Sequence, residues 1–372
     1  MSRAAKLLLI ALLGCGIGTF ASLWRSPWWH RHSRKNCVTI MEGPTNEDGD
    51  FVAVHGRVVH IVRGDGASLA AKVEQVPDCA FALDAACRGA VCGFLCKDRE
   101  GNVGLVVRRS GQYSTFSASK VTDRAGCTLA VAKLRALVSC SSDTIDLLSF
   151  DAQGGMVSMT RRAPEASALK GVFSSQNEAR AGADDGEWGG GLYVEMGKGG
   201  ELQVDKEWPW PWPVTSSRQE SWLAGSLILS RPANHRASAL LVHTGPRGWR
   251  VIAANQAFYQ TVENMKALAP ETTSPRTCDE GVLSLPEEDT LDAVITRERD
   301  ILGVTADGLV YRSDSDGWRP LARLPTGQRP ERLFYVSSLP VVVLESGELA
   351  VIDVAGKGST PLEIDGLTMK AN

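Results

Sequence analysis

The residues of this chain that are best suited to chemistry are its nine cysteines. Eight of them lie beyond residue 36, and an even number of thiols permits a framework of four disulfides. Four crowd into one short stretch, as Cys79, Cys87, Cys92 and Cys96. Cys127 and Cys140 bracket a stretch typical of two short adjacent strands, so we predict a disulfide that links the strand ends. Disulfides persist in oxidising compartments, and the pattern therefore favours a location outside the cytoplasm.

A metal site and a set of buried free thiols are the alternatives for the crowded cysteines. Zinc sites usually repeat a close Cys pair at a distance or add histidines. The spacing from Cys92 to Cys96 suits such a pair, but no second close pair and no nearby histidine accompany it. We therefore expect disulfides here, and no metal or other cofactor.

A tryptophan–proline repeat, WPWPWP, occupies residues 208–213. Proline fixes φ and favours a stiff extended segment. Trp208, Trp210 and Trp212 could then form an exposed binding surface for a protein, a glycan or a lipid head group, with little entropy lost on contact. The alternative is that the rings fold back and pack on the neighbouring structure, because tryptophan is usually mostly buried.

The sequence contains no recognisable catalytic motif. The G-x-S-x-G elbow, the H-E-x-x-H zinc motif, the P-loop and the dinucleotide fingerprint are all missing. A glycosidase would need two facing carboxylates, which the sequence cannot pair. The candidates are Glu187, Glu195, Glu201, Asp205 and Glu207. The acidic loop at 184–187 lacks the spacing of a calcium loop, so we interpret it as a solvated turn. The sequence predicts a binding or scaffolding protein and not an enzyme.

An uncharged run of eighteen residues lies at positions 7–24, between Lys6 and Arg25. As a helix it would reach roughly 27 Å, close to the thickness of a hydrocarbon core. Residues 12–15, LLGC, resemble the lipobox of bacterial lipoproteins, and this resemblance implies lipidation of Cys15. The alternatives are an uncleaved signal-anchor, that is, a transmembrane helix, and an ordinary buried helix. The apolar run continues past Cys15, which favours the uncleaved membrane helix.

The flanks of the apolar run and the cysteines disagree about which side of the membrane the body faces. The linker at 25–37 is basic and aromatic, and the positive-inside rule would place the body in the cytoplasm. Predicted disulfides favour the opposite side, and we give them more weight. The expected organisation is an anchor at 1–24, the linker, and a body at 38–372. A net charge of −3 gives no reason to expect nucleic-acid binding.

The sequence of the body predicts an all-β fold, because short apolar runs are separated by glycine-containing turns. Clear strand-like runs are Phe51–Val62, Val103–Val107, Leu129–Val138 and Val341–Leu344. One short helix is predicted at Phe258–Leu268, with an exposed loop after it at 269–277.

The spacing of the turns favours a β-propeller. Seven prominent turns are Asp65-Gly66, Glu100-Gly101, Gly154-Gly155, Gly199-Gly200, Arg247-Gly248, Asp307-Gly308 and Ser346-Gly347. Their mean interval is about 47 residues, which suits propeller blades of four strands. We therefore predict about seven blades, with a β-sandwich, two smaller β domains and a mixed α/β fold as the alternatives.

A turn at 313–318, SDSDGW, resembles the Asp-box of sialidase-like propellers, in which an aromatic ring packs beneath a Ser- and Asp-closed hairpin. The resemblance implies a propeller blade and no particular activity. We predict a membrane-anchored, extracytoplasmic β-propeller-like protein of the cell envelope that binds a protein or glycan partner. The alternatives are an envelope glycan hydrolase and a cytoplasm-facing membrane protein.

Overall fold

The structure is a computed structural model, and it describes residues 38, 50–64, 68–88, 91–117, 127–132, 135–140, 144–150, 156–162, 170–173, 179–184, 190–195, 202–206, 208, 212–218, 223, 227–231, 236–243, 248–268, 276–278, 281–325, 327–336, 339–353 and 358–365. The apolar run at 7–24, Cys15 and the linker at 25–37 lie outside these residues. Within the described residues, no helix has the length and apolar character needed to cross a membrane.

The described chain is built almost entirely from β-strands. In chain order they are β1 (Asp50–Val54), β2 (Arg57–Arg63), β3 (Leu69–Glu74), β4 (Phe81–Arg88), β5 (Val91–Lys97), β6 (Val103–Arg109), β7 (Gln112–Ser117), β8 (Thr128–Ala132), β9 (Arg135–Cys140), β10 (Thr144–Phe150), β11 (Met156–Arg162), β12 (Lys170–Phe173), β13 (Ala179–Asp184), β14 (Gly190–Glu195), β15 (Leu202–Val204), β16 (Val214–Arg218), β17 (Leu227–Ser230), β18 (Ala239–His243), β19 (Trp249–Ala254), β20 (Arg276–Thr277), β21 (Leu283–Ser284), β22 (Thr290–Ile295), β23 (Ile301–Thr305), β24 (Leu309–Asp314), β25 (Gly317–Arg323), β26 (Pro330–Val336), β27 (Leu339–Leu344), β28 (Leu349–Asp353), β29 (Gly358–Leu362) and β30 (Ile364–Asp365).

These strands form seven sheets, which we number in chain order. The first sheet has the order β1-β2-β3-β30, and the others are β4 to β7, β8 to β11, β12 to β15, β16 to β21, β22 to β25 and β26 to β29. Neighbouring strands within each sheet pair antiparallel, except that β20 and β21 pair parallel with β19 and that β30 pairs parallel with β3. Sequential hairpins of this kind arise from the short turns between the strands. The prediction of an all-β body is confirmed.

The seven sheets are packed side by side in a ring. The first strand of each sheet contacts the first strand of the next, from β1 to β26, and β26 in turn contacts β2. Apolar clusters lie between neighbouring sheets, and one of them joins the seventh sheet to the first through Val341, Val59 and Ile61. Sheets that pack face to face around an axis, each with its first strand innermost, are the arrangement of a β-propeller.

The end of the chain completes the sheet that the first strands begin. Strand β30 pairs parallel with β3, with Ile364 opposite Ala71. The first and the last strand are therefore held in one sheet, and β30 pairs with part of the edge of β3.

One predicted strand run is in fact a hairpin. The run Phe51–Val62 contains a turn at His55 and Gly56, both with positive φ (47° and 72°), which separates β1 from β2. The run Leu129–Val138 divides between β8 and β9, the two short adjacent strands expected between Cys127 and Cys140. A continuous apolar pattern hides such turns because the strands on both sides are buried.

The predicted turns at Glu100-Gly101, Asp307-Gly308 and Ser346-Gly347 occupy the same place in three sheets, between the second and third strands. Each glycine has a positive φ, between 76° and 86°, which side-chain-bearing residues rarely adopt. The spacing of these turns therefore reports a repeated structural unit.

The single helix of the described residues, α1 (Gln256–Leu268), confirms the predicted helix and begins two residues earlier. Asn255 caps it, since Oδ1 of Asn255 accepts the backbone N–H of Phe258 at 3.0 Å. The helix lies between β19 and β20 as an insertion in the fifth sheet. Phe258 and Val262 pack it onto the apolar cluster of that sheet.

Candidate functional site

The first candidate site lies at the inner strands, where the buried carboxylate of Asp84 pairs with the partly exposed guanidinium of Arg332. Oδ1 of Asp84 accepts the backbone N–H of Ala85 and a guanidinium N–H of Arg332, both at 2.8 Å. Oδ2 of Asp84 accepts the backbone N–H of Leu129 at 2.7 Å. The carboxylate thus joins the inner strands of the second, third and seventh sheets. Its charge raises the pKa of Arg332.

Asp292 repeats this arrangement in the sixth sheet. Its Oδ1 accepts the N–H of Ala293 at 3.0 Å, and its Oδ2 accepts the N–H of Leu333 in the next sheet at 2.8 Å. The strand register shifts immediately before Asp84 and before Asp292. A bulge leaves backbone groups without ladder partners, and a carboxylate at that position satisfies the N–H groups. Both carboxylates therefore connect one inner strand to the next.

A second polar cluster lies between the fourth and fifth sheets. Oδ2 of Asp205 accepts the indole N–H of Trp249 at 3.0 Å and lies 3.5 Å from Nε of Arg180. Nη2 of Arg180 donates to Nε2 of His243 at 3.2 Å. Burial, and then the positive charge of Arg180, lower the pKa of His243 to about 4, against the opposing effect of Asp205. His243 is therefore neutral near pH 7, and its Nε2 accepts a hydrogen bond from the guanidinium of Arg180.

Trp208 and Trp212 of the tryptophan–proline segment lie in an apolar cluster that also contains Trp249. Trp208 is 3 % exposed and Trp212 is 0 % exposed. The Trp208 ring meets the Trp249 ring edge-on, and the Trp212 ring meets that of Phe258 in the same way. The indole N–H of Trp208 donates to the carbonyl of Trp212 at 3.0 Å. The rings of Trp208 and Trp212 are thus buried, so these two residues do not form the exposed binding surface that the sequence suggested. Trp210 lies outside the described residues.

A cavity of about 410 Å³ lies beside the seventh sheet, where the chain passes to β30. Its apolar wall includes Pro325, Leu349, Leu362 and Ile364. The polar groups that line it include Gln328, Ser359, Glu348 and Glu363, and none of the described lining residues is basic. A largely apolar pocket of this size with few polar groups is the usual form of a binding site.

The crowded cysteines form two disulfides. Cys79 bonds to Cys96 and Cys87 to Cys92, all in or beside the second sheet. Among the described residues, no group of three or more metal-ligating side chains occurs. Cys127 and Cys278 are disulfide-bonded as well. Thr128 pairs with Ser139, and this register, continued by one residue, places Cys127 opposite Cys140 along the backbone; a disulfide between these two residues stays a prediction.

The Asp-box-like turn forms a hairpin but not the expected packing. Oδ1 of Asp314 accepts the N–H of Asp316 at 2.9 Å and closes the turn between β24 and β25. Trp318, however, is 39 % exposed and does not pack beneath it. The residues between glycine and tryptophan that an Asp-box normally has are missing, so Trp318 remains on the hairpin instead of reaching the core. The acidic loop beyond Asp184, and Glu187, Glu201 and Glu207, lie outside the described residues.

No protein-family model and no curated protein matches this chain. Solved structures similar to it are β-propellers. The WD40 propeller domain of Doa1 has a TM-score of 0.48 and 13 % identity, with 85 % of this chain and 92 % of that chain covered. YCF48 from Cyanidioschyzon merolae has a TM-score of 0.48 and 12 % identity, with 86 % of this chain and 99 % of that chain covered. YCF48 bound to a D1 peptide has a TM-score of 0.48 and 13 % identity, with 78 % of this chain and 83 % of that chain covered. The propeller arrangement of this chain rests on its own seven sheets.

Sequence reasoning missed the charged residues that the structure brings together at the inner strands. The motifs of the sequence do not point to Asp84, Asp292 or Arg332, and Asp205 is only one of five candidate carboxylates there. A signal was present, because the tripeptide Leu-Asp-Ala occurs at 83–85 and again at 291–293, each time inside an apolar run. A charged residue at the same place in two buried strands indicates a repeated structural role.

Proposed function

We propose that this protein is a seven-bladed β-propeller that binds a protein partner without catalysing a reaction. In this proposal residues 7–24 attach it to a membrane, and the body lies on the extracytoplasmic side as part of the cell envelope. Each of the seven sheets is one blade, and β30 completes the first blade.

The cavity beside the seventh sheet is the observation that carries the binding role. Its walls are apolar, and two carboxylates, Glu348 and Glu363, line it together with the amide of Gln328. Such a pocket suits an apolar side chain that lies next to a lysine or arginine, because the carboxylates would attract the basic group. A protein segment supplies this combination, whereas a neutral glycan does not.

The buried carboxylates favour binding over hydrolysis. A glycosidase needs one carboxylate as acid and one as base or nucleophile, both directed at the substrate. Asp84 and Asp292 instead use their oxygens to accept backbone N–H groups and, for Asp84, the guanidinium of Arg332. These two groups have a structural use in the fold.

The disulfides support an oxidising compartment. Six cysteines of the described chain are disulfide-bonded, which is unusual for a protein that stays among reducing thiols. An extracytoplasmic body behind the apolar segment accounts for this observation, and the basic linker would then lie at the lipid head groups.

A photocrosslinking amino acid in place of Ser359 tests the binding role. Ser359 lines the cavity, whereas the neighbouring Thr360 is exposed and does not line it. We expect a discrete protein adduct from position 359 in intact cells, and none from position 360, which does not line the cavity. The Leu362→Glu variant should abolish the adduct at 359. Equal adducts from both positions, or an adduct at 359 that consists of glycan, would refute a protein-binding cavity.

Deleting residues 1–24 tests the attachment. We expect the shortened protein to move from the membrane fraction to the soluble fraction and to keep one cooperative unfolding transition, because the seven sheets do not depend on the apolar segment. Centrifugation in high salt and then thermal unfolding measure both. A shortened protein that still sediments with membranes in high salt would contradict attachment by this segment alone.

A further inference from the structure

We propose that Cys278 forms its disulfide with Cys37, and that this crosslink fixes the linker to the outside of the propeller between the fifth and sixth sheets. Cys278 is disulfide-bonded and 5 % exposed. It lies directly after β20, at the outer edge of the fifth sheet, in a cluster that also contains Ile295 and Ile301 of the sixth.

The other cysteines have nearer partners. Four of the nine bond to one another in or beside the second sheet. Cys127 belongs to the apolar cluster between the second and third sheets, whereas Cys278 belongs to the cluster between the fifth and sixth. The strand register places Cys140 opposite Cys127. The two cysteines left as partners of Cys278 are Cys15 and Cys37. Because Cys15 lies within the apolar run, we assign Cys37.

Val38 shows where the chain passes next to Cys37. It is 2 % exposed and belongs to the same apolar cluster as Cys278. Nε of Arg299 donates to the carbonyl of Val38 at 3.2 Å, and Val38 and Cys278 line one small cavity with Gly281. Consecutive Cα atoms are about 3.8 Å apart, and a disulfide needs Cα atoms roughly 4.4–6.8 Å apart. The residue before Val38 is thus within reach of Cys278.

The chemistry of the crosslink balances in an oxidising compartment. The thiols of Cys37 and Cys278 each lose a proton, the S–S bond forms, and two electrons pass to the disulfide of an oxidant protein, which becomes a dithiol. The crosslink would fix the body about a dozen residues from the apolar segment. It would therefore limit how far the propeller can turn away from the membrane surface, a consequence that rests on the proposed attachment.

Peptide mapping of the unreduced full-length protein tests the pairing directly. After thiols are blocked with N-ethylmaleimide, trypsin should yield peptide 36–57 linked to peptide 277–297, and peptide 125–133 linked to peptide 136–161. Reduction should separate each pair. Maleimide on Cys37 before reduction, or peptide 277–297 linked to any other peptide, would overturn the proposal. The map needs no variant and therefore does not depend on how a mutant folds.

A cleavable full-length protein tests the tether and separates its failure from failure of the attachment. A site-specific protease sequence is inserted between Pro44 and Thr45, beyond Cys37. We expect the cleaved body to stay on membranes until a reductant is added, whereas the same protein with Cys37→Ser is released at once. Release of the unsubstituted protein without reductant would overturn the crosslink. If the uncleaved protein is already soluble, the attachment is wrong, and fragments that still migrate together without reductant support the disulfide.

Discussion

Replacing Asp84 with alanine is expected to lower the free energy of unfolding by about 2–4 kcal/mol, because it removes a buried carboxylate that accepts two backbone N–H groups and pairs with the partly exposed guanidinium of Arg332. The change leaves the guanidinium of Arg332 without this carboxylate and deprives the N–H groups of Ala85 and Leu129 of their acceptor. Each buried donor without a partner adds about 1–3 kcal/mol of desolvation, although such terms are not additive. Urea unfolding of the full-length protein in detergent measures the change.

Three comparisons make the Asp84 experiment specific. Asp84→Asn keeps acceptor oxygen but not the charge, and it should lose clearly less stability than Asp84→Ala. In a protein that already carries Arg332→Met, Asp84→Ala should lower the free energy of unfolding by less than it does in the natural sequence, because no guanidinium is left without its carboxylate partner. Asp316→Ala, on an exposed turn, should change stability by no more than about 0.5 kcal/mol. If Asp84→Ala resembles Asp316→Ala, the carboxylate does not hold the inner strands together.

The fold was accessible from the sequence because its signals are local. Glycine turns such as Glu100-Gly101 and Ser346-Gly347 lie at equivalent places in different sheets, so their spacing reports the repeat. Helix α1 was accessible for the same reason, since its pattern and its cap are contained in one segment. The hairpin at His55 was missed because apolar residues continue on both sides of the turn and no proline or Asn-Gly pair marks it.

The candidate sites were less accessible because they depend on contacts between distant parts of the chain. Asp84 and Arg332 are separated by 248 positions, and Arg180 and His243 by 63. No spacing rule relates such residues until the sheets are arranged in a ring. The cavity beside the seventh sheet also depends on the pairing of β30 with the first sheet. A strand of only two residues has no sequence pattern from which this pairing could be predicted. The repeated Leu-Asp-Ala tripeptide was the one local trace of the inner-strand carboxylates.

Replacing Trp212 with alanine is expected to destabilise the protein by about 3–5 kcal/mol, the range for removing a large aromatic side chain from a core. Trp212 is fully buried, its ring meets Phe258 edge-on, and it belongs to the cluster that holds helix α1 on the fifth sheet. Within the described part of the chain, the indole N–H of Trp212 has no hydrogen-bond acceptor. Trp212→Phe should therefore lose less than half as much stability, because it keeps a ring and removes that N–H.

Trp318→Ala provides the matched comparison, because Trp318 is 39 % exposed on the hairpin between β24 and β25. We expect it to change the free energy of unfolding by less than about 1 kcal/mol, as for most surface substitutions. The sequence alone did not establish that Trp212 contributes more to stability than Trp318. Trp212 belongs to a stiff segment that could be exposed or packed, whereas Trp318 occupies the position at which an Asp-box would bury its aromatic ring. Proline fixes the backbone of WPWPWP but leaves the side to which each ring points undetermined, and only the neighbouring sheet decides that. If Trp212→Ala is stable and Trp318→Ala is not, the tryptophan–proline segment is a surface after all, and the packing of Trp212 on the fifth sheet is wrong.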